Sequence, residues 1–217
     1  MRFFHDGTPM NVEIADLTVA GWTGRNADAV AHHIRELAAL GVAPPSQVPL
    51  FYRVSHTLLM HTDLIEVLGH ATSGEAEPLL AHLDGVLWLG LGSDHTDRDL
   101  EAASVAASKQ ACPKPVADTF WRFDDIAPHV DDLILTCQIQ ENGTWTLYQE
   151  GTLAQIVPLP GLAARAKLGG QGAMLCGTLP AIGAVRPAAA YRMALTDPVR
   201  NKTMTLNYRV KTLEIVN

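Results

Sequence analysis

The chain has 217 residues, 47% of them hydrophobic and 18% charged, which suffices for one compact domain spanning 1–217 and leaves no length for an accessory domain. A net charge of −7 without any Lys/Arg cluster argues against nucleic acid as a partner. Cys112, Cys137 and Cys176 are odd in number and widely separated, without a Cys-x-x-Cys pair, and no apolar run is long enough for a signal peptide or a membrane span. The expectation is a cytoplasmic protein with buried free thiols and no membrane partner.

Residues 10–22 predict a strand with a turn at each end. Asn26 is placed to cap a helix from 27 to 40, with Val30, Ile34, Leu37 and Leu40 at helical spacing and Gly41 as its stop. Residues 49–54 and 63–67 predict strands. The apolar runs 79–83 and 86–91 flank Asp84-Gly85, the dipeptide suited to a two-residue type I′ hairpin. Residues 97–107 have helical composition, and 112–125, with Pro113 and Pro115, reads as a loop. Strands are predicted over 133–139, 144–149, 173–178, 190–196 and 203–214, with Asn142-Gly143 as a turn. Many strands and few helices define a β-rich α+β class.

The hairpin carries the main functional signal. With Asp84-Gly85 as its turn, Leu83 faces Val86, Glu77 faces Gly92 and Glu75 faces Asp94. Side chains alternate along strands, so Glu75, Glu77 and Asp94 share one face, with opposed Cβ atoms about 4.5–5.5 Å apart. Like charges at that spacing are destabilising unless a positive group lies between them, and an all-oxygen set suits Mg²⁺ or Mn²⁺ better than zinc. The alternative is a solvated acidic strand end. Pro78, which cannot donate to a ladder, is the point where a bulge would shift the register. On the first helix His33 and Glu36 are three apart and share a face, as a general-base dyad or as an ordinary surface pair. Lys109 and Arg98 are single cations downstream of Asp94, solvated unless the fold returns them to the acids.

Taken in order, these segments resemble the fumarylacetoacetate hydrolase superfamily. Gly24-Arg25-Asn26 followed by His33-Ile34-Arg35-Glu36 is similar to its Gly-Arg-Asn-Tyr…His-x-x-Glu segment, and Pro49-Leu50-Phe51-Tyr52-Arg53 follows as expected. Glu75-Ala76-Glu77 resembles its Glu-x-Glu metal motif, and Ser93-Asp94-His95-Thr96-Asp97-Arg98-Asp99 its Asn-Asp-x-Ser/Thr-Ala-Arg-Asp signature. Ser108-Lys109-Gln110-Ala111-Cys112-Pro113 is similar to a shortened Lys-Ser-Phe…Cys-Pro segment. Gln149-Glu150-Gly151 and the stretch Cys176 to Gly183 resemble its Gln-x-Gly and Thr-Gly-Thr-Pro-x-Gly-x-Gly elements.

The resemblance implies a rolled mixed β-sheet, commonly in a homodimer, with Glu75, Glu77 and Asp94 on Mg²⁺ or Mn²⁺. It implies that His33 and Glu36 activate water and that Lys109, or Lys114 in its stead, orients that water or stabilises negative charge. Arg98, Gln149 and Thr178 would contact the substrate, and Arg53, standing where a lysine is usual, a substrate carboxylate. Family chemistry includes hydrolysis of acylpyruvate-like 1,3-dicarbonyls, decarboxylation of oxo acids and keto–enol isomerisation, all through an enolate held by the metal. A hydrolase of a small oxo acid or dicarbonyl is the leading expectation, with a decarboxylase, a tautomerase or a non-catalytic metabolite-binding protein as alternatives. The chain departs from the pattern in a longer segment before His33, in Pro78, and in the short connection from Glu77 to Asp94. The first departure sets the dyad on a formed helix where the family often has a mobile lid.

Overall fold

The computed structural model describes residues 1–39 and 44–216; nothing is described of the His33 and Leu37 side chains, and the expected helix end at Leu40 and Gly41 lies outside the described residues. The chain opens with a hairpin of β1 (Arg2–His5) and β2 (Thr8–Asn11), followed by β3 (Asp16–Gly21). The strand expected over 10–22 is therefore two. Val12 and Ile14 are both buried between them, and Ala15 N donates to Gln171 O across the fold instead of extending the strand. Helix α1 (Ala27–Ala39) starts as expected, with Asn26 Oδ1 accepting from Asp28 N and Ala29 N at 3.1 Å. None of its described residues is buried.

Next come β4 (Leu50–Val54), β5 (Leu59–Met60), β6 (Leu64–Leu68) and β7 (Thr72–Ser73). The central hairpin is β8 (Ala76–Leu83) and β9 (Val86–Ser93), after which the chain forms β10 (Thr96–Asp97), α2 (Arg98–Glu101) and α3 (Val105–Gln110). The helix expected over 97–107 is thus split. Ser104 is extended and caps α3 by accepting from Ala107 N, so the first helix must end before it. The expected loop over 112–125 holds β11 (Lys114–Pro115), β12 (Trp121–Arg122) and the start of α4 (Phe123–Ile126). The remainder is β13 (Ile134–Glu141), β14 (Thr144–Thr152), α5 (Leu159–Ala166), β15 (Gly172–Leu175), β16 (Ala190–Asp197) and β17 (Lys202–Leu213). Helix α5 was hidden in the sequence by Pro158, Pro160 and Gly161, breakers that a first helical turn tolerates because its N–H groups lack intrahelical partners anyway.

Two mixed sheets carry the molecule. One has the order β12-β9-β8-β15-β3-β4 and the other β14-β13-β16-β17-β6, and each contains one parallel pair, β15 with β3 and β17 with β6. One buried cluster joins Leu80, Leu89 and Leu91 of the first sheet to Ile65, Leu135, Ile139 and Leu195 of the second. A second cluster, with Leu79, Ala81, Val19 and Leu175, fills the opposite face of the first sheet under Phe3 and Phe120. Strand β8 is therefore buried on both faces, which explains its unbroken apolar run. Leu79, Leu80, Leu89 and Leu91 are fully buried, each worth about 1.5–3 kcal/mol relative to exposure.

The register is the one expected: Leu83 pairs with Val86 and Glu77 with Gly92, around Asp84 at φ 50° and Gly85 at φ 80°. Pro78 causes no slip. Opposite Leu91 it occupies a non-hydrogen-bonded pair, so its nitrogen points towards β15, whose ladder with β8 ends one residue earlier at Leu79–Leu175. Only its carbonyl is used there, accepting from Cys176 N at 3.0 Å.

Candidate metal centre

The ladder of the central hairpin runs one pair past β9, where Asp94 N donates to Glu75 O at 3.1 Å. This places the three acids in adjacent positions across two strands. Behind them, Tyr208 OH lies 2.8 Å from Ser93 Oγ and 3.0 Å from His95 Nδ1, and His95 Nε2 lies 2.9 Å from Thr72 Oγ1. Burial, helped by Lys114 and Arg98, pushes His95 down to about 3, so it serves this network as a neutral imidazole. Gly74 is required above it: a Cβ there would stand 1.9 Å from Tyr208 OH. Removing the hydroxyl in Tyr208→Phe leaves Ser93 and His95 short of a partner and should cost about 1–3 kcal/mol in urea unfolding.

Each acid is held differently. Glu75 Oε2 accepts from Arg98 Nη2 at 2.9 Å, and the same guanidinium donates to Ser73 Oγ and to both oxygens of Glu101. Glu77 is buried, and its Oε2 accepts from Gly177 N at 2.8 Å. Burial first, and the neighbouring Asp94 second, raise its carboxyl well above the usual range. Asp94 is fully buried, and there the lysines win against desolvation: Lys109 Nζ bonds Oδ2, Lys114 adds its charge, and Asp94 stays below the usual carboxylate range. Lys109 is held above the ordinary lysine value, because Asp94 and Glu77 outweigh its burial.

The second lysine is the less expected feature. Lys114 is wholly buried and donates to the carbonyls of His95 and Lys109 at 2.5 Å and of Cys112 at 3.2 Å. Its Nζ also stands 3.2 Å from Asp94 Oδ1, an atom that is buried and accepts no hydrogen bond. The cations that the acidic trio demands are thus supplied in part by the chain itself.

Among the described residues no three His, Cys, Asp or Glu side chains are grouped so as to hold a metal ion. The physical reason is visible in the pairs above: Glu75 is turned onto Arg98, and Asp94 onto the lysines. The donor set nevertheless fits a hard divalent cation. It is all carboxylate, it is in register, and Asp94 Oδ1 is a buried anionic oxygen without a hydrogen bond.

Gln149 and Thr178 meet beside the trio but are engaged with main chain. Gln149 Oε1 accepts from Ala76 N at 2.9 Å, its Nε2 donates to Thr178 Oγ1 at 2.6 Å and Leu179 O at 2.7 Å, and Thr178 donates to Ala76 O at 2.7 Å. They fix the residue between the two glutamates. Arg53 is elsewhere, exposed and paired with Asp16 at 2.5 Å. The row Tyr52–Val19–Leu175–Leu79 lies on the sheet face that carries Glu77, so alternation puts Arg53 on the other face. Tyr52 is the residue that reaches the site, with Lys109 Nζ 5.8 Å from its ring centroid. Glu36 on α1 lies 3.5 Å from His32 Nδ1. At the helix N-terminus Arg25 forks onto Asp131 at 2.7 and 2.8 Å and donates to Ile156 O, so the Gly-Arg-Asn segment anchors α1.

The fold and the carboxylate hairpin define a class. The mixed-sheet architecture matches the fumarylacetoacetate hydrolase fold. The chain belongs to the family described as "Protein of unknown function (DUF2848)", whose model matches residues 20–208. No curated protein matches it. Among similar solved structures is 2-keto-3-deoxy-D-arabinonate dehydratase complexed with magnesium and 2,5-dioxopentanoate, at TM-score 0.64 and 13% identity, covering 94% of this chain and 75% of that one. Maleylpyruvate hydrolase from Sphingobium sp. SYK-6 aligns at TM-score 0.60 and 13% identity over 91% of this chain and 71% of its own. The 4-oxalocrotonate decarboxylase from Pseudomonas putida G7, complexed with calcium and acetate, aligns at TM-score 0.57 and 13% identity over 93% and 78%.

Proposed function

We propose that the protein is a Mg²⁺- or Mn²⁺-dependent hydrolase of a small oxo acid or acylpyruvate-like 1,3-dicarbonyl, with Glu75, Glu77 and Asp94 as the metal ligands. The observation that supports it most is Asp94: a fully buried carboxylate, in register with two glutamates, with one oxygen free of hydrogen bonds. The bound ion would supply a Lewis acid for the substrate's carbonyl oxygens. Lys109 spends one of three N–H donors on Asp94 and offers the others to oxygen atoms that gain negative charge. Arg98, Gln149 and Thr178 act as positioning residues, the first through Glu75 and the others through Ala76. His33, with Glu36, takes the proton of the attacking water from α1, which Arg25 and Asn26 hold at its start.

A second assignment, a decarboxylase or tautomerase, has one observation in its favour. The charge-stabilising Lys109 is buried against Asp94, whereas the helix of the candidate base has no buried described residue. Turnover of an acylpyruvate and oxo-acid panel with Mn²⁺ in ¹⁸O-labelled water separates the two. A hydrolase places ¹⁸O in the new carboxylate, and a decarboxylase does not. Absence of turnover across the panel, with tight binding of one metabolite, contradicts both and defines a binding protein.

A further inference from the structure

We propose that Lys114, with Lys109 and Arg98, makes metal binding at the acidic site conditional on a chelating anion, so that the ion and an oxo-acid-like anion are taken up together. The inference rests on the metal assignment above. It begins with the fixity of the three cations. Lys114 is fully buried, and its ammonium is committed to three carbonyls that belong to the link between β9 and β10, to α3 and to the turn after it. It cannot swing away to make room for an ion without breaking all three. Arg98 is similarly committed, to Ser73, Glu75 and Glu101, and Lys109 to Asp94.

Four carboxylates, of Glu75, Glu77, Asp94 and Glu101, therefore face three resident cations. A divalent ion added to fully ionised acids leaves one positive charge in excess, in a site where Glu77, Asp94, Lys109 and Lys114 are buried and the other three are partly so. His95, one of the titratable groups near Lys114, is spent on Thr72 and Tyr208. An excess buried charge is costly, and the ion must also compete with Arg98 for Glu75 and with Lys114 for Asp94 Oδ1. A chelating anion offsets the excess: a singly charged oxo acid cancels it, and doubly charged oxalate returns the site to the single negative charge it carries without the ion. A site of three carboxylates without resident cations has the opposite balance and holds the ion alone. Lys114 is thus a positioning residue whose charge sets how strongly metal and anion depend on each other.

The test is calorimetric titration of Mg²⁺ into the intact protein, with and without saturating oxalate, fitted together with the binding of Mg²⁺ by oxalate in solution. Oxalate should tighten Mg²⁺ binding ~10-fold or more. In Lys114→Met, Mg²⁺ alone should bind more tightly and the effect of oxalate should shrink several-fold, with the fold checked by circular dichroism. If that variant does not fold, Lys109→Met should show the same reduction. Equal Mg²⁺ affinity with and without oxalate overturns the coupling while leaving the metal site intact. Coupling unchanged in the folded lysine variant overturns the role of the lysine. Failure of Mg²⁺ to bind in either condition overturns the metal assignment itself.

Discussion

Glu77→Gln should abolish turnover and weaken Mg²⁺ binding by at least ~100-fold, since loss of a mere outer partner of a ligand already costs 10–100-fold. The fold should survive. Glutamine keeps the shape and can still accept from Gly177 N, and it removes a carboxyl whose ionised form is disfavoured by burial and by Asp94. Thermal unfolding should therefore show equal or higher stability while calorimetry shows the metal lost. The same carboxyl fixes the sign of a pH effect. Its affinity for protons is raised, so protons compete with the ion there to higher pH than at an ordinary carboxylate, and over that range Mg²⁺ affinity should rise with pH by up to about tenfold per unit. Glu77→Gln should remove that slope. A variant that still binds Mg²⁺ normally, or a wild type whose affinity is flat with pH, contradicts Glu77 as a ligand.

Gly177→Ala should be among the most damaging single-methyl changes in the chain, costing about 3 kcal/mol or more in urea unfolding. Two independent causes add. Gly177 has φ 89°, a left-handed conformation that an alanine adopts only with strain, and its Cβ would stand 1.8 Å from Thr23 Oγ1. Thr23 cannot retreat freely, because its carbonyl accepts from Val157 N at 2.8 Å and the next residues anchor α1. Any shift also moves the N–H that holds Glu77. Metal affinity should fall together with stability, whereas at Gly143, where a Cβ meets nothing within 4 Å, Gly→Ala should cost only the strain of φ 82°. Gly177→Ala with wild-type stability contradicts the close approach to Thr23.

The sequence carried the hairpin because its signals are local. Asp84-Gly85 specifies a two-residue turn, period-two alternation does the rest, and the positions of Glu75, Glu77 and Asp94 follow by counting. The strands after 130 were legible for the same reason. What neutralises the acids was not. Lys114 lies 20 residues beyond Asp94 in a stretch that reads as loop, and its burial depends on three carbonyls, of His95, Lys109 and Cys112, that only the folded chain brings together. Three acids did need positive charge, but nothing local could show that the chain supplies much of it. Strand β4 shows a different limit. Its alternation is plain, yet only the order of strands across the sheet tells which face meets the acids, and that order selects Tyr52 over Arg53. Helix α1 shows a third, since its cap and apolar spacing foretold a helix starting there but not that its described residues would stay unburied.

The most direct measurement is the anomalous difference density of crystals grown with Mn²⁺ and oxalate. The predicted result is one strong peak about 2.0–2.2 Å from carboxylate oxygens of Glu75, Glu77 and Asp94, with oxalate on its open side. A peak bound elsewhere, or crystals saturated with both in which Arg98 still holds Glu75, Lys109 still holds Asp94 and no peak lies between them, would contradict it.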